Sequence, residues 1–266
     1  MEKYFNGTEL YGNDFTIEQI MQWYEEEKEG YARLKEEGIY KYPYDSMNRY
    51  FGFKYLNKKK FNNVLGIGSA YGHEFLPIIS MIDNITILEP SDNLISDKLG
   101  NVIPKYLKPE IDGTISFEDK SFDLITCFGV LHHIPNVSYV LSEMLRVLEP
   151  GGIMLIREPI RSMGDWRTQR KGLTKNERGI PLSFFQSFFR KQKNVTVVKK
   201  TIMDSAFMFK ILKKLFKGIN KDSIPYQKLD KWVSAFLQWN IKYHPKNIFQ
   251  KCAPATVYYV LTKNET

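Results

Sequence analysis

The sequence predicts an α/β fold, a doubly wound sheet of mostly parallel strands. Three observations carry that expectation. A short apolar strand, Val64–Ile67, runs into the glycine-bearing turn Gly66-Ile67-Gly68-Ser69-Ala70-Tyr71-Gly72. A second apolar strand, Thr86–Leu88, ends in a carboxylate, Glu89. The run Phe122-Asp123-Leu124-Ile125-Thr126-Cys127-Phe128 is then followed by an amphipathic stretch and another apolar run, Ile153–Ile156. Apolar runs of this length suit strands buried on both faces, and β-α alternation winds them into a parallel sheet with right-handed crossovers.

Taken in order, Thr16-Ile17-Glu18-Gln19 has capping-box spacing. A helix is expected from there through Trp23, Tyr24 and Tyr31 until Gly38 stops it. An aromatic segment from Tyr40 through Tyr55 leads to the first strand. Residues 1–60 are thus read as an N-terminal helical, aromatic arm. A helix is expected over Tyr71–Ile82, a poorly marked one over about 92–101, and a weak third strand somewhere in 102–116. Val140, Leu141, Met144, Leu145 and Leu148 share one face of a helix over about 137–148, which Glu149-Pro150-Gly151-Gly152 stops. Val195–Val198 and Val257–Leu261 read as late strands. Residues 61–202 form the expected core, 203–250 a helical cap insertion and 251–266 the last strand of the sheet. Within the cap, Phe207–Lys217 is amphipathic. Its apolar face is expected to pack on the domain, the alternative being an anionic membrane.

With 266 residues and 43% hydrophobic content, the chain has the length and composition for one large core. No run of about eighteen apolar residues occurs, so no membrane-spanning helix is expected. The N-terminus lacks the pattern of a signal peptide, and Cys127 and Cys252 form no disulfide or metal motif; both favour a cytoplasmic location. The net charge of +8 permits nucleic-acid, lipid or acidic partners without selecting one. Five of the nine arginines (Arg157, Arg161, Arg167, Arg170 and Arg178) fall within 22 residues.

The glycines let a backbone lie close to a ligand, and the following helix start offers free N–H donors. A carboxylate at Glu89 accepts from two ribose hydroxyls. Phe128-Gly129-Val130-Leu131-His132-His133-Ile134-Pro135-Asn136 after one strand, and Arg146-Val147-Leu148-Glu149-Pro150-Gly151-Gly152 before the next, distinguish the cofactor. Across about residues 61–160 and the late strands the chain resembles the class I S-adenosylmethionine-dependent methyltransferases. It is similar to small-molecule and sugar O-methyltransferases associated with surface-polysaccharide biosynthesis. That resemblance implies a Rossmann-like, seven-stranded, mostly parallel sheet with a C-terminal antiparallel strand. It implies S-adenosyl-L-methionine as cofactor and S-adenosyl-L-homocysteine as product. Gly66, Gly68 and Ala70, with Ser69 and Tyr71 beside them, would line the methionine end. Glu89 and Pro90 would hold the ribose, the segment Asp112–Phe117 (Asp112 and Ile115 in particular) the adenine, and Phe128 the methionine moiety. Gly66 stands where the family usually carries an acid, so the cofactor's ammonium needs another acceptor. Ala70 replaces a glycine, a change tolerated at negative φ.

The expected reaction is O-methylation. His133 or His132 would act as general base, since an unperturbed pKa of about 6.5 suits the task, and Glu158 would orient or charge-stabilise one of them. The loop 157–181 is read as an acceptor-binding lid. Arg157, Arg161, Arg167, Arg178, Lys175 and Asn176 would grip an anion, and Trp166 would offer a flat surface. The expected acceptor is a small anionic molecule: a nucleotide-linked or phosphorylated sugar, phosphate or phosphoramidate-type precursor of a surface glycan. No metal, nucleic acid or stable membrane insertion is expected. The rivals are an RNA methyltransferase, a dinucleotide-dependent oxidoreductase and a non-catalytic cofactor-binding scaffold.

Overall fold

The computed structural model describes residues 1–29 and 42–265. The helix expected to pass through Tyr31 to Gly38, and the start of the aromatic segment at Tyr40, therefore fall outside the described residues. Seven strands form one sheet: β1 (Phe61–Ile67), β2 (Ile82–Leu88), β3 (Lys105–Leu107), β4 (Phe122–Phe128), β5 (Leu148–Pro159), β6 (Val195–Met203) and β7 (Thr256–Lys263). Their order is β3-β2-β1-β4-β5-β7-β6. Strands β1 to β5 pair in parallel, and β7 runs antiparallel between β5 and β6. This is the Rossmann-like methyltransferase fold, with the antiparallel C-terminal strand in place. Its switch point lies between β1 and β4, where the order reverses and ligands collect.

Strands β1, β2, β5, β6 and β7 extend beyond their apolar kernels because pairing continues where one face is already covered, while β4 matches its run. The Glu149–Gly152 turn is absorbed into β5: Leu148 faces Phe122 while Ile153 faces Leu124, leaving the four residues between as a bulge. One apolar layer covers the face bearing Leu65, Ile125, Cys127 and Ile156; the other covers Val64, Leu124, Phe128 and Leu155.

The helices are α1 (Glu2–Phe5), α2 (Ile17–Glu27), α3 (Asp45–Phe51), α4 (Val137–Val147), α5 (Leu182–Lys191), α6 (Ala206–Leu215), α7 (Ile224–Leu237) and α8 (Ile248–Lys251). Thr16 and Gln19 form the expected capping box at α2. The helix expected over Tyr71–Ile82 is instead a 3-10 helix, His73–Met81, with Pro77 inside it. A proline there removes an N–H and clashes with the preceding turn. The helix expected over 92–101 shrinks to a single 3-10 turn, Asp92–Leu94. The cap helices α6, α7 and α8 lie between β6 and β7 in the chain. Contrary to expectation, the amphipathic segment does not bury its apolar face: α6 buries Met208 alone, and Phe207, Ile211, Leu215 and Phe216 are exposed. Among the described residues no helix is long and apolar enough to cross a membrane.

Candidate active site

A cavity opens at the carboxyl ends of β1, β2 and β4. Gly68, Leu88, Pro90, Val130, His133 and Val140 line its inner wall, and residues 109–111 and 113–115 one end. Helix α2 covers it through Ile20, Trp23, Tyr24 and Glu27. The N-terminal arm is therefore a roof, tied down where Trp23 Nε1 donates to the His133 carbonyl at 2.6 Å.

The turn after β1 is shaped by left-handed backbone at Gly68 (φ 57°), Ala70 (φ 47°) and Gly72 (φ 69°). Ala70 thus does not have the negative φ expected of a tolerated replacement. Its strain, about 1 kcal/mol, is held by the surrounding bonds. One of them runs from Ala70 N to Glu89 Oε2 at 3.0 Å, while Ser91 N donates to Glu89 Oε1 at 3.1 Å. Burial raises the Glu89 pKa to about 7 against those two bonds. Gly66 does not face the cavity: a Cβ there would lie 2.3 Å from Ser69 Oγ. That hydroxyl donates to Glu74 Oε1 at 3.0 Å, and Thr126 Oγ1 donates to the same oxygen at 2.5 Å. Glu74 is buried, which raises its pKa. A carboxylate therefore sits beside the position from which the acid is missing. Tyr71 points its hydroxyl at the Asn93 carbonyl. Ile115 lines the far end, but Asp112 turns both carboxylate oxygens onto Thr114 and faces an outer groove. The Phe128 ring lies on the opposite face of the sheet, packed with Phe53 and Tyr258. Alternation along β4 sends it there, and Val130 takes the cavity wall instead.

The two histidines differ sharply. His132 Nδ1 lies 2.7 Å from Glu158 Oε2 and its Nε2 3.6 Å from Glu177 Oε1. Glu158 Oε1 accepts from Val130 N and Leu131 N at 2.8 and 2.9 Å, which fixes the carboxylate. Burial opposes the charge on His132, but these carboxylates outweigh it and raise the pKa to about 9. Burial likewise opposes the charge on Glu177, yet contact with the histidines brings its pKa down to about 2. His133 shows the reverse: burial, then the charge on His132, lowers its pKa, although Nδ1 sits 2.9 Å from Glu27 Oε2. His132, His133 and Glu177 each bring a ligand-type atom within 4.8 Å of the others, a donor set that suits a divalent cation. The raised pKa of His132 favours a protonated imidazole at the same place.

The loop after β5 closes on this network. Thr174 Oγ1 donates to Glu27 Oε2 at 2.5 Å, Asn176 N donates to Glu27 Oε1 at 2.7 Å, and Asn176 Nδ2 donates to Glu26 Oε2 at 2.7 Å. Lys175 pairs with Glu26. The arginines do not converge on a ligand site. Arg178 is fully buried and donates to the carbonyls of Tyr11, Leu131, His132, Ile134 and Pro135. Arg157 is buried, bonded to Asn48 Oδ1 and stacked 3.9 Å from the Tyr44 ring centroid. Arg170 staples four carbonyls of its own loop, and Arg167 forms two bonds to Asp165. Arg161 donates to the Lys251 carbonyl. Trp166 is not an open surface: it is buried between Phe5 and Tyr11, at 4.5 and 5.3 Å. Arg170 satisfies carbonyls of its own loop and Arg178 those of Tyr11 and the turn after β4, work for which five donors in a rigid fork are suited.

Glu27, Glu74, Thr174 and Glu177 are given no role by the sequence reading. Glu74 alone carried a local signal, a lone acid in the apolar stretch Phe75–Ile79 and its flank.

Residues 65–156 match the family model described as a methyltransferase domain. A tRNA U34 carboxymethyltransferase of Nautilia profundicola is 33% identical over 99 residues, covering 35% of this chain and 33% of that protein. The chain spans about a third or less of the length of the curated relatives it matches. Among solved structures, the [4+2]-cyclase SpnF superposes with TM-score 0.57 at 14% identity, over 95% of this chain and 98% of its own. The Haemonchus contortus phosphoethanolamine N-methyltransferase 2, in complex with phosphomonomethylethanolamine and S-adenosylhomocysteine, gives 0.54 at 16% identity, over 82% of this chain and 52% of its own. These likenesses concern the fold. The relatives are named for other acceptors, so the surface-glycan association rests on the sequence resemblance alone.

Proposed function

We propose, from the premise that residues 65–156 form a class I S-adenosylmethionine-dependent methyltransferase domain, that this protein transfers a methyl group to an acceptor hydroxyl with His133 as general base. The observation that carries the reading is the split between the paired histidines at the cavity. His132, held between Glu158 and Glu177, keeps its proton through neutral pH, while His133 is held neutral at the cavity wall. A general base must be unprotonated at working pH and placed beside the reacting group. Of the two histidines, His133 meets both conditions.

The cofactor, when bound, supplies a methyl group on an already activated sulfonium. The residues present suit it. Gly68 admits close approach, Glu89 offers a carboxylate for the ribose hydroxyls, and Pro90, Gly113, Thr114 and Ile115 line the adenine end. Glu74 is the acceptor for the ammonium, in place of the acid absent from position 66. Glu27 orients His133 through Nδ1, and the 174–176 loop with α2 keeps water from the base. The anionic acceptor expected from the arginine cluster loses its main support, since those guanidiniums hold the loop together.

The test is S-adenosylhomocysteine release across a panel of hydroxylated acceptors, with cofactor binding followed separately by calorimetry. His133→Ala should lower turnover about 100-fold or more while cofactor affinity stays within about twofold. Near-normal turnover in that variant would refute the base assignment.

A further inference from the structure

The cap carries the feature left unused by the cavity. Helix α7 is amphipathic in the inverted sense. It buries Tyr226, Gln227, Asp230 and Ser234, and exposes Leu229, Trp232 and Phe236. The exposed positions continue to Trp239, at spacings of three, four and three residues that keep them on one helical face. Trp232, Phe236, Trp239 and Phe249 are each at least 75% exposed. On α6, Phe207, Ile211 and Leu215 recur every four residues and are also exposed. Helix α8 adds Ile248 and Phe249 and is tied to the end of the α7 segment, where Asn240 Nδ2 donates to the Phe249 carbonyl. Exposed apolar residues in such number on one subdomain mark an interaction surface.

Charge identifies the partner. Residues 206–251 hold ten lysines, no arginine and no glutamate, with only Asp222 and Asp230 to oppose them. The net charge of that segment is +8, equal to that of the whole chain, so the remainder is balanced. Both aspartates are engaged: Asp230 accepts from Asp204 N and Ser205 N, and Asp222 from Ser46 N. Lys210, Lys213, Lys214, Lys217, Lys228 and Lys242 remain exposed around the apolar positions. Tryptophan and phenylalanine interleaved with lysine is the composition of a helix lying in a membrane interface.

We propose that the outer face of the cap, α6 to α8, docks this protein on an anionic lipid surface. A second copy of the chain is disfavoured because a two-fold contact would press like-charged lysines together. A nucleic acid is disfavoured because Ile211, Leu215, Leu229 and Ile248 have no stacking role on bases. The segment also lacks arginine, the side chain suited to bidentate phosphate contacts. The proposal is independent of the methyl-transfer reading.

The test uses the full chain with phosphatidylcholine vesicles, alone and with roughly a third phosphatidylglycerol. The four tryptophans divide into Trp23 and Trp166, buried, and Trp232 and Trp239, exposed, so emission reports the cap. Co-sedimentation with the anionic vesicles only, a blue shift of emission, and release when salt rises from about 0.1 to about 0.5 M are expected. The double variants Lys213→Glu/Lys214→Glu and Trp232→Gln/Phe236→Gln should each weaken partition roughly tenfold or more. Parental circular dichroism and thermal denaturation in both would show that they fold. Equal binding to neutral vesicles, or variants that partition like the parent, would overturn the proposal. So would binding to polyuridylate without vesicle binding, or a concentration-dependent dimer that Trp232→Gln dissociates.

Discussion

Replacing Arg178 separates two readings of the arginine cluster. If the residue gripped an acceptor, Arg178→Met would raise KM and leave stability alone. The structure gives the opposite result. Five hydrogen bonds from a charged donor to carbonyls contribute about 1.5 kcal/mol each, or about 7 kcal/mol together. Against this, burial lowers the guanidinium pKa from 12.5 to about 10. At about 1.4 kcal/mol per pH unit, that amounts to about 3 kcal/mol spent on keeping the charge buried. The balance is about 4 kcal/mol. Methionine recovers some packing against Trp23 but leaves the Tyr11 and Ile134 carbonyls without their donor and strips the second donor from Leu131, His132 and Pro135, so a loss of about 3–5 kcal/mol is expected. In a chain of 266 residues this corresponds to a Tm lower by roughly 10 °C. Thermal denaturation followed by circular dichroism, with and without S-adenosylhomocysteine, reads it directly. A variant with parental Tm and a raised acceptor KM would refute the reasoning.

Three further outcomes follow from the buried acids and histidines. Glu74→Gln keeps the hydroxyl contacts but removes the charge, and should raise the Kd for S-adenosylhomocysteine about tenfold or more by calorimetry; an unchanged Kd would place the ammonium elsewhere. In the proposed role Glu89 accepts ribose hydroxyls as a carboxylate, and burial raises its pKa to about 7. Cofactor affinity should therefore climb as pH rises to about 7 and level off above, a dependence that Glu89→Gln abolishes in a calorimetric pH series. The raised pKa of His132 means that its contribution to stability is complete below about 6.5 and is lost as pH rises through about 9. His132→Gln should flatten the fall in denaturation midpoint over that window; a parental slope would show that the Glu158 and Glu177 contacts do not hold the proton.

The sheet was legible because burial on both faces leaves a largely apolar run, as at Phe122–Phe128, short enough for a strand and flanked by turn residues. The Thr16–Gln19 cap was legible for a similar reason, since its chemistry lies within four residues. Helix boundaries failed where a local breaker competed with the pattern: Pro77 converted the Tyr71–Ile82 helix into 3-10 turns. The cavity's polar groups divide along the same line. Glu89 and the histidines lie at strand ends, where position in the chain gives position in the fold. Glu27 reaches His133 across 106 residues, a pairing that no spacing encodes. The arginines misled because a run of basic residues in sequence reads as a charged surface. A turn that presents several carbonyls to one point can bury such a residue instead, as Arg178 shows.

The same contacts that close the loop also act on His133, the proposed base. Glu177 accepts from Thr174 N and holds His132 charged, and that charge helps keep His133 neutral. Glu27 binds both the loop, through Thr174 and Asn176, and His133 itself. Withdrawing the loop would therefore remove a carboxylate from His132 and a hydroxyl from Glu27 in one motion. It would also admit water, which weakens the desolvation that holds the His133 pKa down. On the proposed reading, base readiness and exclusion of water are two consequences of one set of hydrogen bonds. The residues that carry them come from α2, the β4 turn and the β5 loop. The roof helix accordingly belongs to the chemistry as much as to the packing.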